Sequence, residues 1–227
     1  MEKILAIGDV HFPWAQKSKI SAVLKLAETF RPHAIVQVGD LYDMFAAGRW
    51  AKSLDIMTPK QEYQLARDQA EEFWRLLRRA SPKSACFQLI GNHDERPLKR
   101  VLDKAPEVAS LMKVDELFKF KGVKTANSEF DELVLKDIVF MHGYKSKLGD
   151  HATFNQMKTV CGHSHRGGVV FMPKRGTGTN LEMIWELNCG YLGDPDEVPL
   201  QYRKQSRTIW THGVGLIDHL GPRFVPL

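Results

Sequence analysis

The sequence predicts an α/β protein, and two features of its 227 residues support that prediction. Up to about residue 95, short apolar runs that end near a glycine alternate with segments whose apolar residues recur at helical spacing. Strands that alternate with helices usually pair in parallel and carry the helices on the faces of the sheet. After residue 120, strand-like segments dominate. The length suits one domain, so we expect a single domain over residues 1–227 with a mostly β second half.

The first half contains three apolar runs that predict buried strands, at residues 3–8, 33–40 and 84–95. Two helical segments separate them. The first helix should begin after Ser18 as its N-cap and stop at Pro32. The second should run from Thr58 to Ala80, with Thr58 as N-cap and Pro59 at the first helical position.

The second half contains shorter elements. Residues 129–143 (EFDELVLKDIVFMHG) predict two strands joined by a turn near Lys136 and Asp137. One short helix is expected within 149–158. Further strands are expected in the segments TVCGHSH, MIWELNCG and RTIWTHGVGLIDH. The polar segment 192–210 could be a lid or an oligomer contact, and the sequence does not decide between them.

Composition narrows the class of protein. The chain is 43% hydrophobic and 26% charged, which is ordinary for a globular protein. We find neither a signal-peptide pattern at the N-terminus nor an apolar stretch of the ~18 residues that a membrane span needs. The three cysteines form no paired framework, so we expect a reduced, cytoplasmic protein. A net charge of +5 favours anionic partners without identifying them.

Five predicted strands each end beside a glycine in residues that can bind a metal ion. These are Asp9 and His11, Asp40 with Asp43, Asn92 to Asp94, His142, and His163 with His165. The carboxyl ends of strands are where open α/β sheets gather their ligands. Oxygen and imidazole donors without cysteine suit manganese, iron, zinc or a similar divalent ion. So many donors are too many for one ion with open positions, and they suit two ions bridged by a carboxylate.

These blocks resemble the calcineurin-like metallophosphoesterases, in particular their small single-domain bacterial and phage members. All five blocks occur in the family's order and span residues 8–165. A single block would be weak support, whereas five in register are specific. The resemblance implies a sandwich of mixed β-sheets flanked by helices, with the metal site at the carboxyl ends of the strands.

The resemblance also implies a role for each matching residue. Asp9, His11 and His165 would hold the first ion and Asp40 would bridge to the second, which Asn92, His142 and His163 would complete. His93 would protonate or stabilise the leaving oxygen, with Asp43 orienting its ring. Two dications would polarise the phosphate and lower the pKa of a bridging water to give a hydroxide nucleophile. We expect manganese, with iron, zinc, nickel and cobalt as alternatives.

The substrate is expected to be a phosphoester, with a nucleoside monophosphate ahead of a cyclic or polymeric diester. Protein Ser/Thr phosphatases of this family carry arginine where Met44 stands, which argues against that branch. Aromatic rings and arginines in the loops could stack a base and hold a phosphate. The candidate substrate contacts are Tyr42, Arg49, Trp50, Arg96 and Arg166.

Other interpretations remain open at this stage. Each aspartate alone could cap a turn, and the loop aromatics could pack onto helix 58–80 instead of meeting substrate. A phosphodiesterase or nuclease is the main alternative. A non-catalytic binding scaffold is a remote one, because every ligand position of the family is occupied. The sequence predicts no oligomeric state.

Overall fold

The computed structural model describes residues 3–48, 57–111, 114–176, 180–197, 199 and 209–227. Its helices are α1 Lys17–Phe30, α2 Pro59–Ala80, α3 Arg96–Lys104, α4 Val114–Leu117 and α5 Asp150–Asn155. Its strands are β1 Ile4–Ile7, β2 Ala34–Gln37, β3 Ala85–Gln88, β4 Lys124–Thr125, β5 Leu133–Leu135, β6 Ile138–Phe140, β7 Lys158–Cys161, β8 Gly168–Arg175, β9 Leu181–Asn188, β10 Gly213–Asp218 and β11 Gly221–Pro226.

The strands form two mixed sheets. One has six strands in the order β11-β10-β1-β2-β3-β4, and the other has five in the order β5-β6-β7-β9-β8. The run β1-β2-β3 is parallel, as predicted, whereas β10 joins β1 antiparallel. In the second sheet β6, β7 and β9 are parallel, and β5 and β8 pair antiparallel at its two edges. The predicted sandwich of mixed sheets flanked by helices is therefore confirmed.

The core has two layers because the six-stranded sheet is buried on both faces. Alternate residues of β1 separate them: Leu5 and Ile7 pack against the α1 and α2 side, while Ile4 and Ala6 face the second sheet. All four residues are buried. This two-sided burial explains why β1 reads as a continuous apolar run instead of an alternating one.

Helix α2 begins as predicted, and α1 does not. Thr58 and Gln61 form a reciprocal capping box at the start of α2, an arrangement worth about 1 kcal/mol. In α1 the N-cap is Gln16, whose carbonyl accepts from the N–H of Ile20, so Ser18 already lies in the first turn. The predicted N-cap at Ser18 is wrong. The helix starts earlier because its first turn is anchored by backbone bonds and needs no side-chain cap.

The short elements α3, α4 and β4 escaped prediction, since none is long enough to show a hydrophobic period. Helix α3 matters for function because it follows directly after the Asn92 block. Cys86, Cys161 and Cys189 are free and buried, in keeping with the absence of a disulfide framework. Among the described residues, we find no helix with the length and apolar character needed to cross a membrane.

Candidate metal centre

The two sheets bring their carboxyl ends together at one edge of the sandwich. Five of the seven predicted ligands have side chains that are almost fully buried there: Asp9, His11, Asp40, His142 and His165. The other two, Asn92 and His163, are half-buried. All seven lie on turns that follow β1, β2, β3, β6 or β7.

One donor group is formed by Asp9, His11, Asp40 and His165. These residues each offer a ligand atom, and the four atoms lie within 4.8 Å of one another. His11 Nε2 lies 3.1 Å from His165 Nε2, and His165 Nε2 lies 3.3 Å from Asp9 Oδ1. Two ring nitrogens that face each other this closely need a shared proton or a shared cation.

A second donor group adjoins the first. Asn92 Oδ1 lies 2.9 Å from His142 Nε2 and 2.8 Å from His163 Nδ1. Asp40 Oδ2 lies 3.3 Å from His142 Nε2, so the Asp40 carboxylate borders both groups. A carboxylate between two clusters of nitrogen and oxygen donors fits two neighbouring divalent cations.

Neighbouring groups orient two of the rings toward the centre. His142 Nδ1 lies 3.1 Å from the carbonyl of Val38, which accepts its proton and leaves Nε2 for the centre. His11 Nδ1 faces Asp43 Oδ2 at 3.0 Å, again with Nε2 toward the centre. Metal-binding histidines are usually held by an oxygen on the ring nitrogen that does not bind the metal. The arrangement therefore fits metal ligation better than a set of ordinary core histidines.

The backbone is strained at this edge. Asp9, His11, Asp40, His163 and His165 all have positive φ, between 45° and 66°. Residues other than glycine rarely adopt this region, at a cost of about 1–3 kcal/mol each, and such strain concentrates at functional sites. More than half of the nine positive-φ residues other than glycine in the described chain are therefore predicted ligands.

Two glycines of the blocks are needed for close approach. A Cβ on Gly91 would lie 2.2 Å from Asp40 Oδ1, and one on Gly162 would lie 2.3 Å from Asp9 Oδ2. Both contacts are far shorter than atoms tolerate. The glycines beside the ligands thus make room for the carboxylates that they face.

The electrostatics reflect a dense set of charges. Burial alone would raise the pKa of Asp40, but the His142 and His93 rings hold it well below its usual range. Burial likewise opposes protonation of His142, yet the Asp40 and Asp9 carboxylates raise the pKa of that ring to about 9. The carboxylates therefore stabilise positive charge at this edge, and a bound dication would supply it.

His93 lies beside the two donor groups, and it forms a further cluster with His11 and Asp43 whose possible ligand atoms lie within 4.8 Å of one another. Its Nδ1 faces Asp43 Oδ2 at 3.4 Å and its Nε2 lies 2.8 Å from Arg96 Nη2. Arg96 also donates to the Asp43 carboxylate at 2.9 Å and to its carbonyl at 2.8 Å. Because a guanidinium only donates, Nε2 of His93 is the acceptor in this arrangement. Burial and the Arg96 charge together lower the pKa of His93 to about 4.

Asp43 therefore contacts both His11 and His93, whereas the resemblance implied an orienting role toward His93 alone. Burial would raise the pKa of Asp43, but the two histidines and Arg96 hold it far below its usual range. One ionised carboxylate thus links a predicted metal ligand to the predicted proton donor. No local pattern indicated the contact between Asp43 and His11, because this contact depends on how two loops meet.

Asp94 is a second organising residue, and the sequence analysis assigned it no role. Its carboxylate accepts N–H groups from Tyr42 at 2.8 Å, Gly91 at 2.8 Å and Leu41 at 3.3 Å. It is fully buried. Asp94 thereby ties the loop that carries Asp40 to the loop that carries Asn92. Its position at the end of the Gly-Asn-His-Asp block was the available signal.

The five residues predicted to contact substrate differ in where the structure places them. Tyr42 is fully buried, stacked on Phe118 at 4.7 Å between ring centroids, so the prediction that it meets substrate is wrong. The ring is held inward by Tyr63 of α2 and by Phe118, and its hydroxyl donates to the carbonyl of Leu117 at 3.3 Å. Arg96 is engaged with Asp43 and His93, and Arg166 is exposed. Arg49 and Trp50 lie outside the described residues, as do 198 and 200–208 of the 192–210 segment.

Two aromatic residues near the centre were missed by the sequence analysis. The Trp210 ring packs edge-on against His165, with 4.2 Å between centroids, and Tyr191 stacks on His165 at 5.3 Å. The Tyr191 and Trp210 rings also contact each other, with 5.3 Å between centroids. Tyr191 is fully buried, whereas Trp210 is half-buried. They approach from the chain after β9 and the chain before β10, far along the sequence from the ligand blocks.

A third buried polar group lies behind the second donor group. His151, Cys161 and Glu186 offer ligand atoms within 4.8 Å of one another. However, His151 Nε2 accepts the N–H groups of Tyr144 and Lys145, at 3.0 and 3.1 Å. An imidazole with a bare Nε2 carries its proton on Nδ1, which here faces Glu186 Oε1 at 3.6 Å. We therefore interpret this group as a support for the turn after β6, without an ion.

Comparison with known proteins agrees with this geometry. Residues 2–166 match the family model described as calcineurin-like phosphoesterase. The "Gene 54 protein" of Mycobacterium phage D29 is 27% identical over 251 residues, covering 100% of this chain and 94% of that protein. The protein of the same name from Mycobacterium phage L5 is 25% identical over 248 residues, with the same coverage.

Two solved structures also align with most of the chain. YfcE, a phosphoesterase from E. coli, aligns at a TM-score of 0.42 and 14% identity, covering 96% of this chain and 88% of that one. Vps29 from Entamoeba histolytica, solved as a single mutant, aligns at a TM-score of 0.44 and 13% identity, covering 99% and 98%.

Proposed function

Since the chain belongs to the calcineurin-like phosphoesterase family, we propose that this metal-dependent phosphoester hydrolase is a phosphomonoesterase that acts on nucleotides. One observation carries the proposal: two donor groups share Asp40, and His93 stands beside them, with its Nε2 3.9 Å from Asp40 Oδ2. Metal ligands with an adjacent acid-base side chain suit attack on phosphorus and protonation of a leaving oxygen.

Each donor group is proposed to hold one divalent ion, with Asp40 shared between them. The ligands of the first would be Asp9, His11 and His165, and those of the second Asn92, His142 and His163. We propose manganese for both, because carboxylate, amide and imidazole donors accommodate it. When bound, the two ions would polarise the phosphate oxygens and lower the pKa of water for attack.

The protein's own groups would manage the leaving oxygen. His93 would stand close to that oxygen, with Asp43 holding the ring by its Nδ1 face. In the present arrangement Arg96 occupies the Nε2 side of the ring. To protonate the leaving oxygen, His93 would need a proton on Nε2 as well as on Nδ1. Substrate phosphate would therefore have to draw the Arg96 guanidinium away so that Nε2 can take up a proton from water, which His93 then passes to the leaving oxygen while Nδ1 keeps its proton toward Asp43.

A nucleotide is proposed because an aromatic ring lies beside the centre and the chain as a whole carries a net positive charge. Trp210 lies against His165 and is half-buried, so its remaining surface could stack a base. The net charge of +5 favours an anionic ligand. As part of the same proposal, residues 1–227 act as one domain in the cytoplasm, where the free cysteines would stay reduced.

The substrate proposal is tested by phosphate release with purified protein and added manganese. The panel compares p-nitrophenyl phosphate, bis(p-nitrophenyl) phosphate and 5′-nucleotides. We expect release from the monoesters, fastest from a nucleotide, and a Trp210→Ala variant should lose the preference for nucleotides that Trp210→Phe keeps. Equal rates on nucleotides and base-free monoesters would contradict the nucleotide proposal.

The residue roles are tested by two substitutions. Asp40→Ala should abolish binding of both ions, whereas His93→Ala should bind two ions normally and lose about 10²–10⁴-fold in turnover, the usual contribution of a positioned acid-base group. Metal content by mass spectrometry and kcat for p-nitrophenyl phosphate give the two readouts. Loss of metal from His93→Ala would show that its role is ligation.

A phosphodiesterase is the second candidate, and one observation favours it. A groove leads away from Asn92 along α3, with room for a substrate that extends past the scissile phosphate. Activity confined to the bis ester in the same panel would replace the phosphomonoesterase by this candidate.

A further inference from the structure

A groove of about 520 Å³ adjoins the metal centre on the α3 side. It is lined by Ala47, Gly48, Asn92, Arg96, Lys99, Arg100 and Asp103. Asn92, a proposed metal ligand, forms one end, and Ala47 and Gly48 contribute a wall without long side chains. The groove therefore starts at the reaction centre and continues outward along the helix.

The basic residues of the groove come from one side of α3. Arg96, Lys99 and Arg100 occupy positions i, i+3 and i+4, which share a helix face. Arg96 is paired with Asp43, and Lys99 is paired with Glu129 at 2.6 Å. These two cations are therefore largely neutralised by their partners.

Arg100 is the exception. Its side chain is exposed, and within the described part of the chain it makes no hydrogen bond or ion pair. The acid among the lining residues, Asp103, is paired with Lys104 at 3.1 Å. The groove thus holds a guanidinium that is not ion-paired with a carboxylate of the described chain, about one helical turn (~6 Å) beyond Arg96. A ligand must extend beyond the scissile phosphate to reach it.

We propose that this groove binds a second phosphate group of the substrate and that Arg100 is its main contact. Guanidinium binds phosphate through paired, charge-assisted hydrogen bonds, which makes arginine well suited to such a position. The inference rests on the proposed function, because it takes the ligand to be a substrate bound at the metal centre. The second phosphate could belong to a bisphosphorylated nucleotide or to the backbone of an oligonucleotide.

The test compares Arg100→Glu with Arg79→Glu, which makes the same charge change on an exposed position of α2. Each is assayed with manganese on deoxyadenosine 5′-monophosphate and deoxyadenosine 3′,5′-bisphosphate. The ratio of kcat/KM values, bisphosphate over monophosphate, should fall at least tenfold in Arg100→Glu, the effect of losing one charge-assisted contact. In Arg79→Glu the ratio should stay unchanged, and Arg100→Lys should recover part of it.

An unchanged ratio in Arg100→Glu, or an equal fall in Arg79→Glu, would overturn the proposal. A 5′-phosphorylated oligothymidylate, measured against thymidine 5′-monophosphate, distinguishes the two sources of the phosphate. If Arg100→Glu lowers the kcat/KM ratio tenfold for both the bisphosphate and the oligothymidylate, the groove accepts a second phosphate from either source. If the ratio falls for only one of them, that ligand identifies the source of the phosphate.

A failure of the nucleotide proposal leaves the groove testable. If nucleotides are not hydrolysed, the bisphosphate can be measured as a competitive inhibitor of p-nitrophenyl phosphate or bis(p-nitrophenyl) phosphate hydrolysis. Inhibition that is at least tenfold weaker in Arg100→Glu than in wild type, relative to the monophosphate, supports the second-phosphate site. Inhibition constants that change equally for both nucleotides refute it.

Discussion

Replacing Asp94 with alanine should destabilise the protein by about 3 kcal/mol. The carboxylate accepts two N–H groups at 2.8 Å, from Tyr42 and Gly91, and a weaker one at 3.3 Å from Leu41. The site is fully buried, and each donor left unsatisfied there costs about 1–3 kcal/mol. The donors of the two short bonds, at about 2 kcal/mol each, would together cost about 4 kcal/mol of stability. Burial and the nearby Asp40 charge raise the pKa of Asp94 and so oppose its ionised form, which is why we expect a net loss below that sum, of about 3 kcal/mol.

The measurement is the free energy of unfolding in urea, with the metal removed by a chelator. Asp94→Asn should fall between wild type and alanine, because an amide keeps one acceptor and loses the other. Asp103→Ala is the control, since that side chain is 61% exposed and should cost less than about 0.5 kcal/mol. Asp94 also joins the Asp40 and Asn92 loops, so both Asp94 variants should bind manganese more weakly. A loss below about 1 kcal/mol in Asp94→Ala would refute the reasoning.

Three further predictions concern charge and support around the site. Because carboxylates raise the pKa of His142 to about 9, manganese binding at pH 7.5 should release about one proton, and calorimetry in buffers of different ionisation enthalpy should detect it. A binding enthalpy independent of buffer would contradict this. His151→Leu should weaken binding of one manganese ion about 10–100-fold. His151→Gln should not, because it keeps an acceptor for the N–H groups of Tyr144 and Lys145 in the turn after β6. Equal manganese affinity of the two variants would exclude a supporting role for His151. Asp218 holds Arg223 through two bonds of 2.7–2.8 Å, which depress the pKa of Asp218. Asp218→Asn should therefore cost about 1 kcal/mol at pH 7, discounted for the exposure of Arg223. This difference should begin to shrink only below pH about 4, the usual pKa of an unfolded aspartate, and should be lost as the pH falls through the depressed folded-state pKa of Asp218. Urea unfolding at pH 7 and at a series of pH values below about 4 measures it, and a difference that stays constant over that whole series would contradict it.

The resemblance anticipated the clustering of the candidate metal ligands because each block of them is local. Asp9 with His11, or Asn92 with His93, are separated by at most two positions at a strand end, where residue type and glycine spacing carry the signal. The parallel arrangement of β1, β2 and β3 followed from the alternation of strands and helices. The correct bounds of α2 followed from the helical spacing of its apolar residues and from its Thr58 cap, which is a local side-chain motif.

The substrate side was harder to predict, as Tyr42 shows. An aromatic residue two positions after Asp40 could face either the substrate or the core, and local sequence is the same in both cases. The choice depended on Phe118, 76 residues later, which stacks on the Tyr42 ring. Trp210 shows the opposite error, since it was not predicted at the site and yet packs on His165. No residue near it in sequence resembles a ligand block.

The sequence by itself determined which residues can bind metal and the order of the strands that carry them, because those properties reside in short segments. The tertiary structure decided how the segments meet. It brought His163 within 2.8 Å of Asn92 across 71 positions and His11 within 3.1 Å of His165 across 154. It also gave Asp43 two histidine partners and left Arg100 facing an open groove. Such contacts depend on the packing of two sheets and their connecting loops, which no window of local sequence contains.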